Sequence, residues 1–315
     1  MFSILGAGFA YPEGEISNEI LRTLGGVSPS GTITTRRTAL KLDYLLTERN
    51  ADPKRGSTAF VQTPTDLTLR AALMAIEQAG IARSQIGMII GATDTPLQVT
   101  PGESQRLGDR LVEKIDAFDV SSGLTTLASQ MHALLHWKVE RMPEYVLCVA
   151  ASAPTQRVDY RSGIAGSYLG DGAYAFVVSK RHQGFLRVVH AEQRRVSAAR
   201  EGFVLPLYGH IRMDQGAPQV IEELIANVLE RRATTENALL ICNAFEPASI
   251  APLALRFGMS DMGVAEDLAL FGHCLCAFPG AVLAKRAAQL NRGVRVCIAL
   301  ADYEGLGGIV ELERC

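Results

Sequence analysis

Three groups of side chains in this sequence could do chemistry by type and spacing. Ser121, Ser122, Thr125 and Thr126 crowd one short stretch. A hydroxyl there could attack an acyl group if a base stood beside it; the plainer role is the polar start of a helix. His273, Cys274 and Cys276 share a second stretch. Imidazole titrates near neutrality and suits a general base, or it fills the interior as a hydrogen-bonded side chain. The two thiols stand in an apolar run, where packing is commoner than nucleophilic attack. Arg36 and Arg37 form a basic pair on a polar segment, fit to bind phosphate or simply solvated. His132 and His136 lie four apart on a helix pattern. No third ligand of matching placement follows, so a plain helix face is preferred and no metal is expected.

Alternating strands and helices must position these groups. Ser3 to Gly8 reads as a strand running into a glycine-rich turn. Residues 24–62 read as polar and irregular, with GG, SPSG and NADPKRG turn signals. Thr63 to Gly80 reads as a helix capped by Asp66 and ended by Gly80, with Leu69, Leu73 and Ile76 on one stripe. Met88–Ala92 and Ile115–Val120 read as strands around a helix at Glu103–Glu113. Leu124, Leu127, Met131, Leu134, Leu135 and Val139 fall at helical spacing, which puts the hydroxyl cluster at the start of a long helix. Tyr145–Ala150 is a further strand. Past Lys180–Gly184 the rhythm repeats. Strands are expected at Phe185–His190, Leu239–Asn243, Val294–Ala301 and Gly308–Glu313. Helices are expected around Val220–Leu229, Ala248–Phe257 and Pro279–Leu290. The charged run Glu192–Glu201 reads as a solvent-facing loop. Strand–helix alternation argues an α/β fold with a parallel, covered sheet, in two halves, 1–180 and 181–315.

Composition agrees with a large covered sheet. The chain has 315 residues, 48% hydrophobic and 20% charged, with one tryptophan, so aliphatic side chains must build the core. A net charge of −2 gives no bulk attraction to nucleic acid or to an anionic membrane. The six cysteines, Cys148, Cys242, Cys274, Cys276, Cys297 and Cys315, are scattered and mostly in apolar runs, as buried thiols of a reducing cytoplasm would be. The opening MFSILGAGFAYPEG has no basic segment and no long apolar stretch, so neither a signal peptide nor a membrane span is expected.

An ordered set of motifs narrows the class. AFDV at Ala117–Val120, followed by a small-residue turn and a long helix, resembles the nucleophile region of β-ketoacyl-ACP synthase III. LGDGAYAFVVS at Leu169–Ser179 resembles that family's GDGAGA strand. RRTAL at Arg36–Leu40 resembles its RTGI segment, and GATDTP at Gly91–Pro96 its ATTTP segment. EPASIAPLALRFGM at Glu246–Met259 is similar to the helix after its HQAN motif, and LFGHCLCAFPGAVLAK at Leu270–Lys285 to its YGNTSAASIP segment. YEGLGGIVELE at Tyr303–Glu313 resembles the glycine-rich closing hairpin. The resemblance implies the thiolase fold: two similar halves in a five-layered α-β-α-β-α sandwich, a tight dimer and acyl-thioester chemistry.

Residue by residue, the family's reactive set is replaced. Its nucleophilic cysteine falls on Leu124, its histidine on Ala244 and its asparagine on His273. No cysteine occurs anywhere between Gly91 and Leu147, so cysteine-based acylation at this helix is excluded in any register. The resemblance therefore implies a subunit lacking the usual set, the non-catalytic partner of an intact ketosynthase III homologue in fatty-acid, polyketide or related biosynthesis. The alternative is an acyltransferase with rebuilt chemistry, in which Thr125 or a nearby hydroxyl works with His273, or Cys274 attacks. Arg36 and Arg37 match a segment near the family's coenzyme A entrance, and Arg256 lies on the helix where relatives dock acyl carrier protein. Acyl-CoA or a phosphopantetheine thioester is the expected ligand, with no resident cofactor. Ser249 stands where the family often carries a basic residue, which weakens carrier docking.

Overall fold

The computed structural model describes residues 1–23, 36–39, 63–112, 114–160, 164–206, 209–231 and 237–315. β1 (Phe2–Ala10) is followed by a hairpin of β2 (Gly14–Ser17) and β3 (Arg36–Ala39), in which Ser17 faces Arg36 and Ile16 faces Arg37. The irregular reading of 24–62 thus missed a strand. A four-residue segment with two arginines shows no apolar alternation to reveal it. Then come α1 (Asn18–Thr23, within the hairpin connection), α2 (Pro64–Ala79), β4 (Ile86–Gly91), α3 (Glu103–Leu111) and β5 (Asp116–Asp119). They are followed by α4 (Thr126–His136), β6 (Tyr145–Ser152), α5 (Ala165–Tyr168) and β7 (Gly172–Ser179). The remainder runs β8 (Leu186–Arg195), a hairpin of β9 (Phe203–Val204) and β10 (Arg212–Met213), α6 (Ala217–Glu230), β11 (Leu239–Cys242) and α7 (Pro247–Arg256). It closes with β12 (Ser260–Asp261), α8 (Val264–Phe271), α9 (Phe278–Arg286), β13 (Arg295–Ala301) and β14 (Leu306–Arg314). Glu192–Arg195 belong to β8, paired with Leu306–Ile309, so only the later part of the charged run is a loop.

One strand order is used twice. The first half of the sheet runs β1-β7-β6-β4-β5 and the second β8-β14-β13-β11-β12. Leaving out the hairpins, each reads first, fifth, fourth, second, third. The halves join where β1 and β8 pair antiparallel, Phe2 with Val188, Ser3 with Arg187 and Ile4 with Leu186.

Helices cover both faces of both halves. α2 packs on β1, β7 and β6 from outside, and α6 and α7 cover β13, β14, β11 and β12. Between the two halves lie α4 and α9, each packed on the strands of the other half: α4 on β8 and β14, α9 on β7 and β1. The central strands β6 and β7 are buried on every residue because both faces are covered. The sheet is mixed rather than parallel as expected: β1, β6, β7, β8, β13 and β14 join antiparallel, and only the pairings of β4 with β5 and β6 and of β11 with β12 and β13 are parallel. In β7, Ala173, Ala175 and Val177 face α2, while Tyr174, Phe176 and Val178 face the central helices. This is the five-layered arrangement of the thiolase fold.

The outer helix shows how closely the layers approach. Thr63, not Asp66, is the N-cap of α2. Its hydroxyl accepts from the Asp66 amide while the Asp66 carboxylate accepts from the Thr63 amide, a reciprocal capping box. Gly80 ends the helix at φ +67. The buried face is Leu67, Ala71, Ala72, Ala75 and Ile76, while the expected stripe residues Leu69 and Leu73 are only half-buried. Small residues win because β1 presses against the helix backbone. A Cβ on Gly8 would lie 2.0 Å from the Ala71 carbonyl oxygen, and one on Gly6 1.9 Å from that of Ala75. Gly8→Ala is expected to lose stability at the upper end of the roughly 1–3 kcal/mol typical of overpacking. An unchanged urea midpoint would show that the helix can lift away. Among the described residues, no helix is long and apolar enough to cross a membrane.

Candidate functional site

The site lies where the start of α4, the end of β11, the turn after α8 and the turn between β13 and β14 converge. β5 leads into a tight turn at 121–125 in which Gly123 has φ +57. Leu124 follows, 4% exposed. Its backbone N–H donates to Asp302 Oδ2 at 2.8 Å. Asp302 is carried by the turn between β13 and β14, and its other oxygen accepts from the Glu304 amide at 3.1 Å. Burial pushes its carboxyl up, against these backbone bonds, which lower it.

Ser121 is exposed, while the other three hydroxyls of the cluster are hydrogen-bonded. Thr125 is fully buried; its hydroxyl donates to Ser122 O at 2.9 Å and accepts from Gln193 Nε2 at 2.7 Å. Thr126 donates to Gly123 O at 2.7 Å. Ser129 donates to Gln193 Oε1 at 2.6 Å and lies 2.5 Å from the Ser122 hydroxyl. These groups pin α4 to β8, and sequence proximity gave no sign of Gln193.

His273 is equally committed. The Leu275 amide donates to its Nδ1 at 3.1 Å, so Nδ1 carries no proton. The proton is assigned to Nε2, which donates to Asn243 O at 3.1 Å. The ring lies between Phe245 and Phe278, at centroid distances of 4.2 and 4.8 Å. Burial drives its pKa from 6.5 down to about 3. It is a neutral imidazole with no free lone pair, so the expected base has nothing to accept with in this arrangement. Ala244 is fully buried beside Asn243. The Asn243 side chain exchanges two hydrogen bonds with the Ala301 backbone, at 2.7 and 3.0 Å. A bonded path therefore joins His273 through Asn243 and Ala301 to Asp302 and Leu124.

Cys274 is buried, and burial raises its thiol well above the ordinary range. It packs where a Cβ on Gly172 would meet its sulfur at 2.8 Å. A thiol held protonated in this way is a packing group. Cys276 lies 3.2 Å from the Ser152 hydroxyl, and its amide donates to Asp94 Oδ2 at 2.8 Å. Burial lifts the Asp94 carboxyl to about 6; the bonds from Cys276 oppose the rise and the charge of Asp302 adds to it. Sequence reasoning passed over both Asp94 and Asp302. The one signal was an acid directly after a run of small or apolar residues, in GATD and in ALAD.

The basic candidates lie elsewhere. Arg36 and Arg37 have their backbone in β3, and their side chains fall outside the described residues. Arg256 is on the surface at the end of α7, paired with Glu230 at 2.5 Å and 5.2 Å from the Phe257 ring. His132 Nδ1 contacts Ala191 O at 3.0 Å, and His136 Nδ1 the His132 carbonyl at 2.8 Å. Among the described residues, no group of three or more His, Cys, Asp or Glu side chains could hold a metal ion.

The comparisons with known proteins agree with this architecture. No protein-family model matches the chain. It is 28% identical over 178 residues to a β-ketoacyl-[acyl-carrier-protein] synthase III of Sulfurovum sp. strain NBC37-1, covering 53% of this chain and 52% of that protein. It is 30% identical over 176 residues to the synthase III of Allorhizobium ampelinum, covering 56% and 50%. The chain thus spans about half the length of the curated relatives it matches. The structure of 3-oxoacyl-[acyl-carrier-protein] synthase III from Aquifex aeolicus VF5 superposes with a TM-score of 0.78 at 20% identity, over 99% of this chain and 100% of that one. With the doubled strand order and the two central helices packed between the halves, these likenesses show that the chain has the thiolase fold and is similar in sequence to β-ketoacyl-ACP synthase III over about half its length.

Proposed function

We propose that this chain is the catalytically silent member of a heterodimer, paired with a synthase III homologue that retains cysteine, histidine and asparagine at the three reactive positions. The reading is carried by Leu124 and His273. An apolar side chain stands just before the N-cap of α4, and the imidazole of His273 is neutral and bound at both nitrogens. Acyl transfer needs a nucleophile and a group to polarise the acyl carbonyl; position 124 offers no nucleophile and the imidazole at 273 is engaged at both nitrogens. The partner would act on acyl-CoA or on phosphopantetheine thioesters of an acyl carrier protein, in fatty-acid, polyketide or related secondary-metabolite biosynthesis. Arg36, Arg37 and Arg256 are the basic groups this chain would offer to such carriers. Its halves, 1–180 and 181–315, would supply half of the dimer and shape the partner's acyl tunnel.

The edge of the sheet supports a partner. β5 is the outermost strand on its side, and Phe118 on it is 37% exposed beside Trp137 at 5.8 Å. Val139 nearby is 42% exposed. An open strand edge with apolar side chains is a surface that a second chain would cover.

Co-expression of the tagged chain with a cysteine-bearing synthase III homologue is expected to recover both chains in equal amounts. Two separate homodimers would sink the idea. Thioester turnover by the isolated chain, lost in His273→Ala, would instead favour an acyltransferase with rebuilt chemistry.

A further inference from the structure

Replacing a nucleophile by leucine removes a side chain but leaves the backbone amide at the helix start. That amide is already taken. Asp302 reaches it from the opposite half of the fold, 178 residues along the chain, at 2.8 Å. We propose that the Asp302 carboxylate is an internal anion seated on the amide that immediately precedes the N-cap of α4, in the place where an acyl oxygen or a thiolate would gather negative charge. The site is then closed by a second device, independent of the side chain at 124. The proposal rests on the functional reading above only for the place of residue 124.

Several features fit this role together. The N-terminus of a helix favours negative charge, and a carboxylate is a stronger acceptor there than a neutral thioester carbonyl. The carboxylate is delivered by a fixed turn. The Asp302 amide donates to Leu306 O at 2.9 Å, the Gly305 amide to Asp302 O at 2.9 Å, and Gly305 has φ +80. On the receiving side, a Cβ on Gly123 would lie 2.2 Å from Asp302 Oδ2, so only glycine at 123 admits the carboxylate. Asp94 is near enough to feel the Asp302 charge, so a second carboxylate adds to the negative field around it. A group tethered by the fold meets the amide at an effective concentration that a diffusing ligand does not reach.

The test installs a reporter thiol. Leu124→Cys is made in a Cys315→Ser background, because the other five native cysteines are buried and Cys315 is exposed. The introduced thiol should react slowly with iodoacetamide at neutral pH, because the position is only 4% exposed and Asp302 opposes the thiolate; the readout is the change in rate when residue 302 is neutralised. Adding Asp302→Asn should raise the rate by about tenfold or more, the effect of shifting a thiol's ionisation by one unit. Asparagine still offers an oxygen to the amide, so this variant removes charge while keeping the bond. Asp302→Ala is the second variant and should do at least as much. The proposal is overturned if Leu124→Cys alone already reacts at the faster rate, or if neither neutral residue at 302 accelerates it. The functional reading fails on different results, namely turnover by the unmutated chain or absence of the mixed complex.

Discussion

Acidification from pH 6.5 toward pH 3 should cost the native chain about 1.4 kcal/mol per unit more than it costs a His273→Asn variant. The cause is the depressed pKa of His273, about 3 in the folded protein. In the unfolded chain the imidazole titrates near 6.5. Between these values the unfolded state binds a proton that the folded state refuses. The contribution of His273 is fully present above pH 6.5, falls as the pH drops, and is gone below about 3. Over the whole window the difference approaches about 5 kcal/mol. Asp94 works in the opposite direction, because burial raises its carboxyl to about 6. Its contribution is present at low pH and is lost as the pH rises through that value. The native chain and the variant share Asp94, so the difference between their curves isolates His273. Urea unfolding of both between about pH 7 and pH 4 measures it. Parallel curves would mean that the ring is reached by water and protonated in place.

Asp267→Ala should cost about 3 kcal/mol or more, the range for breaking a buried ion pair from one side. Asp267 on α8 is fully buried. Arg286 on α9 meets it twice at 2.9 Å, through Nε and Nη2, and Lys285 bonds the same carboxylate. The guanidinium also donates to Gly263 O at 3.1 Å, and it packs where a Cβ on Gly263 would lie 2.6 Å from its carbon. The Lys285 ammonium sits 4.5 Å from the Phe271 ring, which stacks on Tyr11 at 3.9 Å. Removing the carboxylate leaves two cations with, among the described residues, only Glu266, an exposed side chain, as counter-charge. It also loosens α8 from α9 on both sides of the turn that holds His273. Urea denaturation measures the loss. A cost below about 1 kcal/mol would mean that both cations swing out to solvent.

Local pattern carried the architecture. Runs such as YVLCVAAS and GAYAFVVS, apolar up to their final serine, announce strands covered on both faces, and the strands and helices appear in chain order near their expected places. Where expectation failed, the reason was local. β3 has no apolar alternation, β8 runs on through charged residues, and α2 buries alanines that a search for large apolar residues ignores. The glycines that let β1 approach α2 give no warning in sequence of which backbone they will meet.

The candidate site divides in the same way. By itself, the sequence determined that no cysteine can serve at the start of α4, because composition over a long window does not depend on register. Through ordered motifs it also led to the expectation that the family's reactive positions fall on Leu124, Ala244 and His273. Only the tertiary structure decided what those positions can do. The state of His273 is set by Asn243, Leu275 and two phenyl rings, and the hydroxyl of Thr125 by Gln193 on another strand. The amide of Leu124 is set by Asp302, which enters from the opposite half of the fold. Periodicity follows from one backbone and is written locally. Hydrogen-bond partnership and burial arise between segments far apart in the chain, and they exist only once the two halves have closed on each other.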